Sequence, residues 1–532
     1  MAAPPETICE MGQRRQTGDK PCSSVLFRHE TDRDNVPAAS RPACFHDVHL
    51  DRIVAGITAG KEQYDLKPYY YLPACEVEDV TFRQEVMRTL DDSPDLFDYI
   101  KRFAASMETM RRQLEQSENF HNALQKKRWF LDAAGLYCAA VTQLGHDLAG
   151  AGVTASGLLR FSRYLDRYLS SAAFKTFVEE TKHLQNDLRA ICYSVLIDGL
   201  RVRVHPCRDE CDYGSEVAET FQPFRQDDQS EGTAFKQHNS PELNTVEESI
   251  LERVVKLNPE TFGELDRYVK AHANFTDTAV VVFDREIQFY VAYLDYLAPF
   301  RKAELNFCYP RVVRSRKDVF DEEGFNLALA ATIIGEGSVP VCNDFYLKSK
   351  ERIIVISGPN QGGKTTFACT FAQLHYLASL GCPVPGTRAQ LFLADTILTH
   401  FEKGESRLDG RGKLEGDLFR IHAILERATP NSIVVLNEIF DSTTVRDARL
   451  LSHKIMDKIA QFDLLCVWVT FLDELASANE KTVSMVSKVV PENPTQRTYR
   501  IERQAPDGLA YALSIAEKYG LTSARLKERL RS

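Results

Sequence analysis

The chain has no apolar run approaching the roughly 18 residues of a membrane-spanning helix, so no span is expected. The opening stretch MAAPPETICEMGQRRQTGDK has no apolar core, which argues against a secretory signal. Thirteen cysteines are scattered without a paired framework; they read as reduced thiols and point to a cytoplasmic location. Positive charge is not in excess either. Lys and Arg number 65 against 75 Asp and Glu, a formal net charge of −10. There is thus no general electrostatic pull toward nucleic acid, and any DNA contact must come from local basic patches. No internal repeat, Ser–His–Asp grouping, haem motif or dinucleotide fingerprint stands out.

What is there is ordinary globular material in quantity. At 532 residues, 44% hydrophobic and 26% charged, the chain is long enough for two or three domains. Residues 1–42 are polar and Pro-containing and are expected to be largely disordered, apart from a short strand at SSVLF. Residues 43–336 read as a mostly α-helical core or lever domain. Thr81 and Gln84 in TFRQ fit a capping box, and Phe97, Ile100, Phe103, Met107, Met110 and Leu114 form one apolar stripe at helical spacing. A helical pattern from Ser156 to Cys192 offers Tyr164, Tyr168, Phe174, Phe177 and Leu184 as its buried face. Within LRVRVH, Leu200, Val202 and Val204 alternate with polar residues, the period-two mark of a strand. DYGS (212–215) would turn the chain and EVAETF return as the partner strand, a small β excursion near 196–225. A polar connector (222–244) leads back to helix, including a long segment at 285–305.

Two weaker constellations lie in this region. His205, Cys207 and Cys211, with His238, invite a zinc reading, but their spacing lacks the C-x-x-C form, and a hairpin loop is the better account. Cys44, His46 and His49 more simply mark a helix start. Basic groups at Lys126–Arg128, at 311–317, and at Arg201 and Arg203 offer salt-sensitive backbone contacts to DNA, against the bland alternative of solvated faces.

From about residue 337 to 532, short β-rich runs (RIIVIS, SIVVLN, LLCVWVT) alternate with helical segments, as in a parallel sheet flanked by helices. RIIVISGPNQGGKTTF carries a G-x-x-x-x-G-K-[ST] pattern between a strand and a helix, the signature of a P-loop NTPase domain. Glycines let the backbone curl round an anion, and the helix that follows offers its positive end. Gly358, Pro359, Asn360, Gln361, Gly362, Gly363, Lys364, Thr365 and Thr366 are the candidate cradle for ATP. Lys364 would reach the phosphates and Thr365 would ligate Mg²⁺. The later stretch SIVVLNEIFD ends a buried strand in Asn437 and Glu438. Glu438 is the candidate for polarising an attacking water, and Asn437 for holding Mg²⁺ through a water.

Here the chain resembles the MutS family of DNA mismatch-repair ATPases. The resemblance rests on GPNQGGKTTF (358–367), VVLNEIFDSTTVRDA (434–448), DGRGKLEGDLFRIHAIL (409–425) and DGLAYALSIAEKYGL (507–521), with FYVAYLDYLAPF upstream like the end of that family's lever region. It is strong over about 340–530 and diffuse over about 45–335. It does not extend to a mismatch-reading domain, and the Phe-x-Glu wedge of such a domain has no counterpart. The resemblance implies an ABC-like ATPase domain of the MutS domain V type, a homodimer with composite nucleotide sites, and helical levers that clamp DNA under the control of ATP. Three positions depart from the family pattern: Asn437 stands for an aspartate, Gly412 for the signature serine, and Phe471 for a histidine. Losing one preorganised electrostatic contact costs on the order of 10²–10³ in rate. Nucleotide binding is therefore expected to survive better than turnover, and hydrolysis to be slow. The alternative is a nucleotide-gated dimerising interaction protein with little turnover and no DNA role. A small-molecule kinase is disfavoured, since it leaves the long helices without a job.

Overall fold

The computed structural model describes residues 24–34, 36–199, 201–207, 243–401, 412–490 and 493–505. Two compact units emerge: one of residues 1–94, 153–161 and 285–532, the other of residues 95–152 and 162–284. A helical N-terminal region is followed by an α/β region built on a mostly parallel sheet.

The second unit is mostly helical, with one β-hairpin. In helix Pro94–Glu118 the expected stripe buries Ile100, Phe103, Met107 and Met110, while Phe97 and Leu114 at its ends stay partly exposed. The single helix expected over 156–192 is two, Ser156–Ser170 and Ala172–Ala190. Ser171 breaks it: its backbone is extended (ψ 144°) and its hydroxyl accepts from the Phe174 N–H, so it caps the second helix. Phe174, Phe177 and Leu184 are buried as expected. Helix Pro259–Ala271 packs on Ala123–Gly150 and Ala172–Ala190, with the Thr181 hydroxyl 2.6 Å from that of Tyr268.

The β excursion is present with a different partner. Strand β1 (Tyr193–Asp198) pairs antiparallel with β2 (Arg201–Pro206), so the sequence LRVRVH joins the segment before it. A two-residue connection with Gly199 at φ 60° suits the twist of a tight hairpin, which a distant return strand lacks. The stretch from DYGS through EVAETF lies outside the described residues.

In the first unit, residues 24–27 form no strand, yet Val25, Leu26 and Phe27 are buried. Ser24 Oγ donates to the buried Glu286 carboxylate at 2.7 Å, and the Val25 N–H donates to the same oxygen at 3.0 Å. The TFRQ capping box is also corrected. The helix starts a turn earlier, as Val77–Asp92 with Glu78 and Asp79 in its first turn, and Thr81 Oγ1 bonds the Val77 carbonyl.

Strand structure begins before residue 337. β3 (Phe307–Cys308) is followed by β4 (Arg311–Val313), β5 (Val319–Gly324) and β6 (Asn343–Leu347). After β7 (Ile353–Ser357) come β8 (Val384–Pro385) and β9 (Arg388–Phe392), giving a four-stranded sheet ordered β4-β9-β5-β6 and a small β3-β8 pair. The main sheet is completed by β10 (Ile397–His400), β11 (Ile433–Asn437), β12 (Leu465–Val469), β13 (Thr482–Val490) and β14 (Asn493–Arg503). Its order is β10-β11-β12-β7-β13-β14, parallel except for the final antiparallel pair. β7, β11 and β12 are buried along their whole length, which is why they read as continuous Val/Ile/Leu runs. Register places Ile356 beside Val469 and Val469 beside Asn437, so the ends of β7, β12 and β11 open at one level. Among the described residues, no helix is long and apolar enough to cross a membrane.

Candidate functional site

Two segments meet at that edge: the loop between β7 and helix Lys364–Ser379, and the acidic turn after β11. Gly358 (φ 114°) and Gly363 (φ 90°) adopt backbone conformations that only glycine takes without strain, and Gln361 between them sits at φ 58°. The loop lies against β13. Ser487 Oγ donates to the Gly362 carbonyl at 2.7 Å, and a Cβ on Gly362 would fall 2.2 Å from that hydroxyl oxygen. From β14, the strand beside β13, Arg497 Nε donates to the Asn360 carbonyl at 3.1 Å.

Lys364 is buried with its ammonium inside the loop. It donates to the carbonyls of Gly358 (2.9 Å) and Pro359 (3.1 Å) and to Asn360 Oδ1 (3.1 Å). Glu438 Oε1 lies 3.8 Å away. Burial, with Arg497 nearby, lowers the pKa of Lys364, while the Glu438 carboxylate and then Asp473 work against that shift. Thr365 is exposed and donates through Oγ1 to Asn437 Oδ1 at 2.8 Å. Glu438 has a left-handed backbone (φ 48°), and its N–H bonds the Val469 carbonyl at 2.9 Å. That twist turns its side chain out of the strand, and the carboxylate remains one-third exposed. The Thr366 carbonyl accepts from Asn326 and from Thr370. A cavity of about 920 Å³ opens over the loop, lined by Gln361–Thr366, Glu438 and Tyr499 at its polar end and by Leu329, Val339 and Val341 at its apolar end.

The sequence-derived candidates Gly358 to Thr366, Asn437 and Glu438 thus converge from two segments. Their donor set suits a hard cation: the Thr365 hydroxyl, the Asn437 amide oxygen and the Glu438 carboxylate are all oxygen ligands.

Comparison with known proteins bears on what such an edge belongs to. Residues 354–529 match the family model for MutS domain V. The DNA mismatch repair protein MutS of Caldanaerobacter subterraneus subsp. tengcongensis is 25% identical over 295 residues, 52% of this chain and 33% of that protein. MutS of Symbiobacterium thermophilum is 30% identical over 226 residues, 42% of this chain and 25% of that protein. The DNA mismatch repair protein MSH3 of Yarrowia lipolytica is 26% identical over 215 residues, 39% of this chain and 21% of its own. Similarity to MutS domain V thus covers about a third of the chain, and the relatives that match are mismatch-repair proteins. The chain's matched segments span a third or less of these relatives' length.

The three positions that depart from the MutS pattern fall as follows. Asn437 ends β11 in contact with Thr365. Phe471 follows β12, half exposed, at the edge where the Thr470 N–H bonds the Ile356 carbonyl at 3.0 Å. Gly412 precedes helix Lys413–Arg427 without a side-chain cap. Lys413 pairs with Asp441 at 3.0 Å, joining that helix to the turn after Glu438.

Sequence reading missed several groups here. Ser487 and Arg497 come from distant strands and carry no local signal. Asp473, two residues after Phe471, also weighs on the Lys364 charge. His400, at the end of β10, is buried 3.3 Å from the Asp417 carboxylate, which also binds Arg420 at 2.6 Å. Burial and Arg420 lower the His400 pKa.

The other sequence candidates are dispersed. Lys127 and Arg128 are matched by Asp266 (2.5 Å) and Asp132 (2.6 Å), and Lys126 bonds the Glu118 carbonyl. Arg201 and Arg203 are exposed on β2. His205 and Cys207 join no metal-binding group among the described residues, and Cys211 and His238 lie outside them.

Proposed function

We propose that this chain is a MutS-type nucleotide-binding protein with a P-loop, ABC-like ATPase domain, which holds ATP with Mg²⁺ and uses it to control binding of mismatched or branched DNA. A pair of adjacent contacts carries the reading: Thr365 Oγ1 meets Asn437 Oδ1 at 2.8 Å while Lys364, the residue before Thr365, faces Glu438, the residue after Asn437, at 3.8 Å. That two segments far apart in sequence meet here supports a phosphate-handling edge. The backbone of Gly358–Thr366 and the Lys364 ammonium would hold the phosphates. Thr365, and Asn437 through a water, would hold Mg²⁺, which neutralises charge on the phosphate oxygens. Glu438, one-third exposed and turned toward the cavity, would orient and polarise the attacking water. An amide at 437 brings an oxygen but no charge, which supports slow hydrolysis.

A dimer fits the same edge. Phe471 and Val445, on the segments after β12 and β11, and Phe419 on helix Lys413–Arg427 are large apolar side chains exposed to solvent. DNA would meet the helical region through Arg201 and Arg203, in salt-dependent contacts without base reading. The second reading, a nucleotide-gated dimerising protein with little turnover and no DNA role, is favoured by the pairing of Lys127 and Arg128 with acids. A salt titration with duplex, mismatched and branched DNA, with and without ATP, separates the two. No retention on any DNA at low salt removes the first; steady phosphate release that disappears in Glu438→Gln removes the second.

A further inference from the structure

The hairpin β1–β2 sets two cysteines face to face. Its register pairs Tyr193 with Pro206, so the next pair outward is Cys192 and Cys207. The backbone is joined there as well, with the Cys207 N–H bonding the Cys192 carbonyl at 3.5 Å. Directly opposed residues of an antiparallel pair lie about 4.5–5.5 Å apart between Cα atoms, within the roughly 4.4–6.8 Å that a disulfide spans. Both side chains are exposed, whereas Cys44, Cys138, Cys369, Cys382 and Cys466 are buried and Cys75, Cys308 and Cys342 partly covered. Burial pushes the thiols of Cys44 and Cys369 up to about 12 and leaves them unreactive. Cys192 is shifted by a different cause: it is held above the usual thiol range chiefly by its neighbour Cys207 rather than by burial.

We infer that Cys192 and Cys207 form a reversible dithiol–disulfide site that locks the base of the hairpin. The oxidant is a small-molecule disulfide. One cysteine thiolate displaces a thiol from it, forming a mixed disulfide; the other cysteine, deprotonated, attacks the protein sulfur of that bond and expels the second thiol. One small disulfide is reduced to two thiols, and the protein gains one S–S bond in exchange for two S–H bonds. The bond would tie the end of β2 to the stretch that leaves helix Ala172–Ala190. The lock would hold a hairpin that presents Leu196, Ile197 and Val202, with Arg201 and Arg203, to solvent. The inference stands independently of the nucleotide reading.

The test is a titration of the full chain in glutathione–glutathione disulfide buffers, quenched by alkylation and read by peptide mass spectrometry. The expected result is a peptide linking Cys192 to Cys207, two hydrogens lighter, which rises with the oxidised fraction and reverts under reduced glutathione. Hydrogen exchange of the backbone amides of Tyr193–Asp198 and of residues 201–205 should slow several-fold in the oxidised form, and Cys192→Ser and Cys207→Ser should each abolish both signals. Full alkylation of both thiols at every buffer ratio would overturn the inference. So would separate glutathione adducts on the two cysteines with no link between them.

Discussion

At the scale of single residues, the account turns on Asn437. Its amide oxygen accepts the hydrogen bond from Thr365, and on the proposed reading it brings no negative charge to the metal-binding edge. Asn437→Asp should therefore speed ATP turnover by on the order of 10²-fold with little change in affinity, measured as phosphate release beside equilibrium binding. Gly362 makes the opposite kind of prediction. A methyl group there meets Ser487 Oγ at 2.2 Å and the Pro359 carbonyl at 2.9 Å, so Gly362→Ala should push the loop off β13 and abolish ATP binding. Loss of stability of about 1–3 kcal/mol should accompany it, readable by denaturant unfolding. His375 supplies a pH dependence. It is fully enclosed beside Phe345 and Phe371, and burial lowers its pKa from 6.5 to about 4. The unfolded chain therefore binds the extra proton between these values. Stability is complete above about 6.5 and is lost as pH falls toward 4, by roughly 3 kcal/mol. His375→Phe should flatten that part of the stability–pH curve; an unchanged slope would count against the assignment. That the glycines, Lys364 and Glu438 would come together was legible in the sequence because the loop pattern and the strand end are local signals. Ser487, Arg497 and Asp473 were not, since only sheet order brings them to the loop.

Among the elements, the legible ones advertise their burial. β7, β11 and β12 are covered on both faces, and an unbroken apolar run bounded by polar turns says so. β5 carries Asp321 and two glutamates, one of the acids fully buried, so its alternation was hidden and the four-stranded sheet with it. Tertiary contact likewise overrode composition at residues 24–27, a polar-flanked stretch held down by Glu286. Glu286→Leu leaves Ser24 and the Val25 N–H without their acceptor at a cost of about 1–3 kcal/mol each. Limited proteolysis should then cut within residues 24–34 far sooner than in the wild type. The hairpin partner was misassigned because period-two alternation identifies a strand but not its neighbour.

For the molecule as a whole, the sequence pattern foretold a helical region ahead of an α/β region, and the family match rests on the latter. Partner and DNA geometry belong to longer-range physics than any motif encodes. If Phe471, Val445 and Phe419 face a second copy, sedimentation should show ATP-dependent dimerisation that Phe471→Glu weakens, with monomeric nucleotide binding preserved. The most direct test of the central claim is equilibrium binding of ATP with Mg²⁺ to the wild-type chain and to Lys364→Ala, followed calorimetrically. The account predicts saturable one-site binding that weakens at least tenfold, about 1.4 kcal/mol, in the variant. Equal affinity in both proteins, or no binding to the wild type, would contradict it.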